Sequence, residues 1–164
     1  MTASAFSIRD CHSGDAEALV NLVRELAVYE KLEAFMQATP DQFRAHLFGS
    51  NRFAEAIVAE MDGEAVGFAL FFPTYSTFRG RPGLYLEDLF VRRECRGLGI
   101  GKALLATVAK RAVERGCGQV NWIVLEWNEP AIGFYRRAGA EPIDDWRGYR
   151  IADEPLARLA ACAP

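Results

Sequence analysis

One stretch constrains this chain more than any other: Arg96-Gly97-Leu98-Gly99-Ile100-Gly101-Lys102. It follows the mostly apolar run Leu84 to Val91. It opens a segment, Ile100 to Arg115, in which Ile100, Leu104, Val108 and Ala112 recur at helical spacing. A strand, a glycine-threaded turn and an amphipathic helix in that order expose the unpaired N–H groups of a helix start. The helix dipole makes such a start attractive to anions. Glycine lets the backbone take up positive φ and approach a ligand closely. Arg96 and Lys102 add positive charge at the same place, so the stretch predicts a diphosphate site. A Walker loop is excluded, because Arg96 stands where its first glycine is needed and Ala103 replaces its Ser/Thr. A dinucleotide loop is excluded as well, because Lys102 holds the position of its last glycine.

The remaining pattern places this loop in a mixed sheet. Phe6 to Arg9 alternates and reads as a strand. Asp15 to Lys31 carries apolar residues at Ala18, Leu19, Leu22, Val23, Leu26 and Ala27, a helical spacing. Thr39-Pro40 predicts a capped short helix through Leu47. Ala54 to Met61 and Ala65 to Pro73 read as strands joined at the hairpin turn Asp62-Gly63. Thr74 to Gly83, rich in Gly, Pro and Arg, reads as a loop before the strand Leu84 to Val91. Gly116 and Gly118 close the helix of the glycine loop. Val120 to Leu125 is a further strand. Asn128 caps a helix to Arg137 that Gly139 ends, and Trp146 to Ile151 reads as a last strand before a helix from Glu154 to Ala161. Meander strands followed by a strand–helix–strand crossover imply a mixed sheet with helices on both faces. At 164 residues, with 51% hydrophobic and 25% charged residues, the chain is long enough for a real core and reads as one domain, residues 1–164.

The glycine loop resembles the acetyl-CoA loop of the GNAT superfamily of N-acetyltransferases. Three further segments are similar to its spermidine/spermine (diamine) and thialysine branch: Glu25 to Lys31, Tyr85 to Val91, and Glu126 to Tyr135. The resemblance runs from Ile8 to about Ile151. It implies an α/β (α+β) fold built on a mixed, mostly antiparallel twisted sheet of about six to seven strands. It also implies acetyl-CoA as cosubstrate, bound by Phe90, Val91, Arg96, Gly97, Leu98, Gly99, Ile100, Gly101, Lys102, Asn128 and Tyr135, and a homodimer.

The implied chemistry has a protonation problem. An alkylammonium of pKa about 10.4 is neutral in only about one molecule in 2,500 at pH 7, a penalty of roughly 4.6 kcal/mol. Only the neutral amine attacks a thioester, so a general base helps, directly or through water. Glu87 is the candidate, since a carboxylate in a mostly apolar strand is costly unless it is used or paired. It also matches the glutamate that the family is thought to use. Asp88 points to the opposite face if the strand is regular, which suits a structural role or contact with a substrate cation. Tyr135, by resemblance, is the general acid for the departing thiolate, and a phenol is neutral at pH 7. Asn128 is an N-cap on its own spacing and a contact to the coenzyme arm by resemblance.

On the acceptor side, Tyr29 and Glu30 match residues near the amine in the family. Asp144, Asp145 and Trp146 fall in its acid-rich, tryptophan-bearing segment. With Glu87, these imply substrate-binding roles for Tyr29, Glu30, Asp145 and Trp146, and acids and aromatics suit an ammonium. Ser76 and Phe78 depart from polyamine-acetylating members and look like the thialysine branch. Arg79 and Arg81 would repel a long polycation, bind a carboxylate, or simply lie in solvent. The favoured acceptor is a small diamine or amino-acid-like amine rather than spermine. Two other readings are a non-catalytic acetyl-CoA-binding regulator and an acetyltransferase of protein or peptide amines.

Composition narrows the alternatives. A net charge of −3 argues against nucleic-acid binding. No apolar run approaches the roughly 18 residues needed to span a membrane, and Met1 to Arg9 lacks the pattern of a secretion signal. Cys11, Cys95, Cys117 and Cys162 show no C-x-x-C spacing, and with His12 and His46 they form no credible metal set. Reduced thiols in a cytoplasmic protein are expected.

Overall fold

Asp62-Gly63 sets the register of the sheet. Both residues have positive φ, 54° and 81°, and a two-residue turn of this kind matches the right-handed twist of the strands it joins. Met61 therefore pairs with Glu64, and β2 (Glu55–Met61) zips antiparallel onto β3 (Glu64–Ser76). The computed structural model describes residues 6–164. Residues 1–5, part of the stretch read for a secretion signal, lie outside the described residues. The chain forms two compact units, divided between Val124 and Leu125.

In the first unit, β1 (Phe6–Asp10), β2, β3, β4 (Arg81–Val91) and β5 (Val120–Asn121) lie in sequence order. All neighbours are antiparallel except β4 and β5, which are parallel. On one face of the sheet, Ala56, Val58, Phe68, Leu70 and Phe90 form a core with Leu19 and Leu22 of α1 (Ala16–Glu30) and with Leu47. Strand alternation sends Ile57, Ala59, Ala69 and Phe71 to the other face, and all four are buried. There α3 (Ile100–Glu114) packs against the strands, and the Arg111 guanidinium lies 5.6 Å from the centroid of the Phe71 ring. Helices thus cover both faces, as the element order implies. Each fully buried side chain of Phe or Leu size stabilises the unit by about 1.5–3 kcal/mol.

The capping signals hold. Thr39 Oγ1 accepts from the Gln42 backbone N–H at 3.3 Å, and Gln42 Oε1 accepts from the Thr39 N–H at 2.9 Å. This box opens α2 (Pro40–Phe43), which runs on as a π-helical turn over Arg44–Phe48. Asp15 fixes the start of α1. Its carboxylate accepts two bonds from Arg9, at 2.8 and 2.9 Å, and one from the His12 N–H at 2.8 Å. Arg92, just past β4, pairs with Glu25 of α1 at 3.0 Å.

Four expectations need correction. Among the described residues the sheet has five strands, not six to seven. The strand expected over Val120 to Leu125 pairs only at Val120 and Asn121, with Leu84 and Tyr85. The strand expected over Trp146 to Ile151 does not form. A β-rich sequence is a strand only where a neighbour accepts its backbone bonds, and Trp146 and Tyr149 stand 73% and 93% exposed instead. Conversely, most of the loop expected over Thr74 to Gly83 is strand. Tyr75 pairs with Pro82 and Ser76 with Arg81, leaving a turn at residues 77–80. Pro82 removes one donor from the ladder, but its carbonyl accepts from the Gly118 N–H at 2.9 Å. Arg79 donates to the Gly118 carbonyl at 3.2 Å, and Arg81 to that of Gly116 at 3.5 Å. Both arginines thus tie the hairpin to the turn after α3.

The second unit contains α4 (Glu129–Arg137) and α5 (Asp153–Ala160). Asn128 is buried, and its side-chain oxygen accepts from the Ala131 N–H at 3.4 Å. Pro130 lies in the first turn, where its missing donor costs nothing. Gly139, at φ 90°, ends the helix.

Candidate active site

The C-terminal half of β4 departs from a regular strand at the acids. Leu70 pairs with Asp88 and Phe71 with Leu86, so Glu87 is the extra residue of a β-bulge. A bulge leaves one residue unpaired and re-aims its side chain. Glu87 is exposed and Asp88 half-buried. The assumption of a regular strand, which put Asp88 simply on the opposite face, therefore does not hold. Burial raises the Asp88 carboxyl to about 7, and the negative charges of Glu87 and Glu30 push the same way. Glu30, in the last turn of α1, is itself raised by burial. Tyr85, two residues before Glu87, has its phenol raised by burial and then by the Glu87 charge. No sequence spacing singles out Tyr85, because the bulge at Glu87 breaks the regular alternation of the strand.

Beside these acids, β4 has a bare edge. β5 pairs with β4 only at Leu84 and Tyr85. From Leu86 to Val91 that edge has no strand partner among the described residues. Phe90 and Val91, both buried, end the strand. Backbone groups on such an edge suit an amide-bearing ligand lying in an extended conformation.

The glycine loop follows. Gly97 and Gly99 have φ of 82° and 87°, and a Cβ at either would meet no atom within 4 Å. They are required for conformation rather than for space. Gly99 caps α3, so no side chain occupies the helix start, and the first turn holds no acid. The N–H groups of Ile100, Gly101 and Lys102 point out of this end as unpaired helical donors. Ile100 is buried and Lys102 exposed; Leu98 is 46% exposed. Arg96 is committed locally. Its Nε–H donates to the Val91 carbonyl at 2.9 Å, and its guanidinium lies 4.7 Å from the centre of the Tyr29 ring. The end of α1 and the run from β4 into α3 thus bring Tyr29 against Arg96 and the charge of Glu30 to Asp88, in the part of the first unit that also carries Glu87, Phe90, Val91 and the loop to Lys102.

The other expected site residues belong to the second unit. Tyr135 is half-buried on α4, its ring 5.2 Å from that of Phe134. Asn128 is the cap of the same helix. Asp144, Asp145 and Trp146 lie exposed in a segment without regular structure. Among the described residues, no cluster of His, Cys, Asp or Glu could hold a metal ion. Cys11 is half-buried, and burial raises its thiol to about 12, which makes it unreactive. No helix is long and apolar enough to cross a membrane.

Residues 17–140 match the acetyltransferase (GNAT) family. The chain belongs to the GNAT acetyltransferase family. The match runs across both units and takes in the bulge, the bare edge, the glycine loop and α4. The relatives agree. The thialysine N-epsilon-acetyltransferase of Bos taurus is 37% identical over 164 residues, which cover 93% of this chain and 96% of that protein. The L-ornithine N5-acetyltransferase NATA1 of Arabidopsis thaliana is 46% identical over 95 residues, 58% of this chain and 42% of that protein. Among solved structures, an integron cassette protein from V. cholerae superimposes with a TM-score of 0.80. It is 25% identical and covers 96% of this chain and 99% of its own. This GNAT protein is therefore an acyltransferase enzyme.

Proposed function

We propose that this enzyme transfers acetyl from acetyl-CoA to a primary amine of a small diamine or amino-acid-like acceptor of the thialysine type, in preference to spermine. The observation that carries the reading is the bulge at Glu87, which exposes a carboxylate on the strand with the open edge, next to Asp88, whose carboxyl feels the charges of both Glu87 and Glu30.

The residues present suit acetyl-CoA. The glycine-shaped start of α3 offers unpaired N–H donors to a diphosphate, with Lys102 exposed beside them. The edge of β4 that ends at Phe90 and Val91, where the Val91 carbonyl already accepts from Arg96, offers its remaining backbone groups to the pantetheine amides and to the acyl oxygen. Acetyl-CoA supplies an acyl thioester, and the chain supplies the proton management. Glu87 removes a proton from the acceptor ammonium, directly or through one water. Tyr135 returns a proton to the leaving thiolate, and Asn128 contacts the coenzyme arm. The family match on both sides of Val124 supports a single acetyltransferase domain.

Glu30, Glu87, Asp88 and the Tyr29 ring favour a cationic acceptor. By the family resemblance, Asp145 and Trp146 are assigned to the acceptor as well. The names of the bovine and Arabidopsis relatives support an amino-acid-like acceptor. We place the enzyme in a homodimer, as the family resemblance implies. An acceptor screen at fixed acetyl-CoA, with thiol release as readout, tests the reading across thialysine, ornithine, lysine, putrescine and spermidine. The highest kcat/KM is expected for thialysine or ornithine. Preference for spermidine would reassign the acceptor class, and no turnover on any of these amines would overturn the small-amine reading in favour of protein or peptide amines.

A further inference from the structure

We infer that Arg96 is a positioning strut that holds the glycine loop against the acceptor end of α1 through the Tyr29 ring, so that the coenzyme site and the amine site are mechanically joined. The inference rests on the proposed acetyl-CoA reading of the loop.

The loop is poor in other anchors. Gly97 and Gly99 carry no side chain and border open space, and Leu98 is half exposed. Glycine also leaves the backbone its widest freedom. Cys95 and Ile100, 4% and 1% exposed, fix the two ends of this stretch in the core. Between them Arg96 reaches back into the fold. Its planar fork makes two kinds of contact at once. Nε–H donates to the Val91 carbonyl at 2.9 Å. The guanidinium carbon lies 4.7 Å from the Tyr29 centroid and 5.8 Å from that of Phe90. Both distances fall within cation–π range.

The far end of the strut matters because of where Tyr29 sits. It precedes Glu30 in the last turn of α1, and the charge of Glu30 reaches Asp88 at the bulge. One side chain therefore spans from the residue that begins the glycine loop to the residue beside the acids. Loss of either end is felt at both. Lysine cannot replace arginine here, since a single ammonium cannot stack flat and donate sideways together.

Calorimetry with acetyl-CoA and steady-state kinetics with the acceptor test the strut. Tyr29→Leu, far from the diphosphate donors in sequence, is expected to weaken acetyl-CoA binding about two- to five-fold, the range of a partly exposed cation–π contact. Tyr29→Phe, which keeps the ring, restores wild-type affinity for acetyl-CoA. Arg96→Ala gives a similar loss and also raises the acceptor KM, and Arg96→Lys does not rescue it. The double variant Tyr29→Leu/Arg96→Ala loses no more than the worse single one, since both remove one contact. Unchanged acetyl-CoA affinity in Tyr29→Leu, or losses that multiply in the double variant, would overturn the strut. Should Tyr29→Leu not fold, an acceptor KM left unchanged by Arg96→Ala overturns it equally. Wild-type protein that bound no acetyl-CoA would instead sink the functional reading on which the strut rests.

Discussion

Glu87 and Asp88 are chain neighbours that share one β-bulge: Asp88 keeps its partner Leu70 across the ladder, and Glu87 has none. The bulge gives two adjacent carboxylates different surroundings. One is exposed and the other is held half-buried, with its carboxyl raised to about 7. Two acids in contrasting environments can hold different protonation states at the same pH.

If Glu87 is the base, Glu87→Gln should lower turnover at least about tenfold at pH 7, and by less at pH 10, where far more of the acceptor amine is already neutral, while the fold is retained. The side chain is exposed, so little stability is at stake. Rates measured from pH 6 to 10 check this, and near-normal turnover at pH 7 would assign the base elsewhere.

Asp88 should leave a mark on stability. Its folded pKa is raised from 3.8 to about 7, so the folded state holds the proton more tightly than the unfolded chain does. The protonated form contributes fully below about pH 4. That contribution is lost progressively as pH rises to about 7. Asp88→Asn, neutral throughout, should remove this part of the decline. Thermal melting from pH 4 to 8 measures it, and parallel curves for variant and wild type would contradict the assignment.

Tyr135→Phe is expected to lower turnover at least about tenfold while acetyl-CoA binding persists. Paired kinetics and calorimetry separate the two effects. Near-normal turnover would remove Tyr135 as the acid.

Gly99→Ala places a Cβ where φ is 87°. Nothing lies within 4 Å of that Cβ, so the cost is conformational and not steric crowding. A non-glycine residue in the left-handed region loses about 1–2 kcal/mol. The expected outcome is weaker acetyl-CoA binding, by up to about 30-fold, with melting temperature little changed if the loop simply leaves this conformation. Wild-type affinity would show that the donors of the loop are not used.

Asp15 is 7% exposed and holds three charge-assisted bonds. Asp15→Ala should cost about 1.5–3 kcal/mol, discounted from a fully buried pair because Arg9 is a third exposed. Arg9 holds the Asp15 carboxyl below its usual range. Its stabilisation is therefore present above about pH 4 and lost as pH falls through the depressed value. Chemical denaturation at pH 7 and at pH 3 reads both effects, and equal stability of variant and wild type at pH 7 would contradict them.

Much of this protein is legible in its local sequence. Local rules fixed the Asp62-Gly63 hairpin, the Thr39 and Asn128 caps and the glycine-shaped start of α3, because each depends on the backbone preferences of a few adjacent residues. The same locality explains the errors. Trp146 to Ile151 has the composition of a strand, but whether a strand forms depends on a distant segment offering its backbone. Pro82 and Gly83 read as loop because their cost is local, whereas the ladder that accommodates them is not.

The sequence by itself determined the family-bearing elements: a strand, a glycine loop and a helix that together bare a row of N–H donors to an anion. Only the tertiary structure decided how the acids of β4 are presented and where Arg96 goes. The bulge at Glu87 exists because β3 pairs Leu70 with Asp88 and Phe71 with Leu86. Arg96 lies on Tyr29 because α1 and β4 pack together on one face of the sheet. Register and packing are relations between residues far apart in the chain, and no local spacing records them.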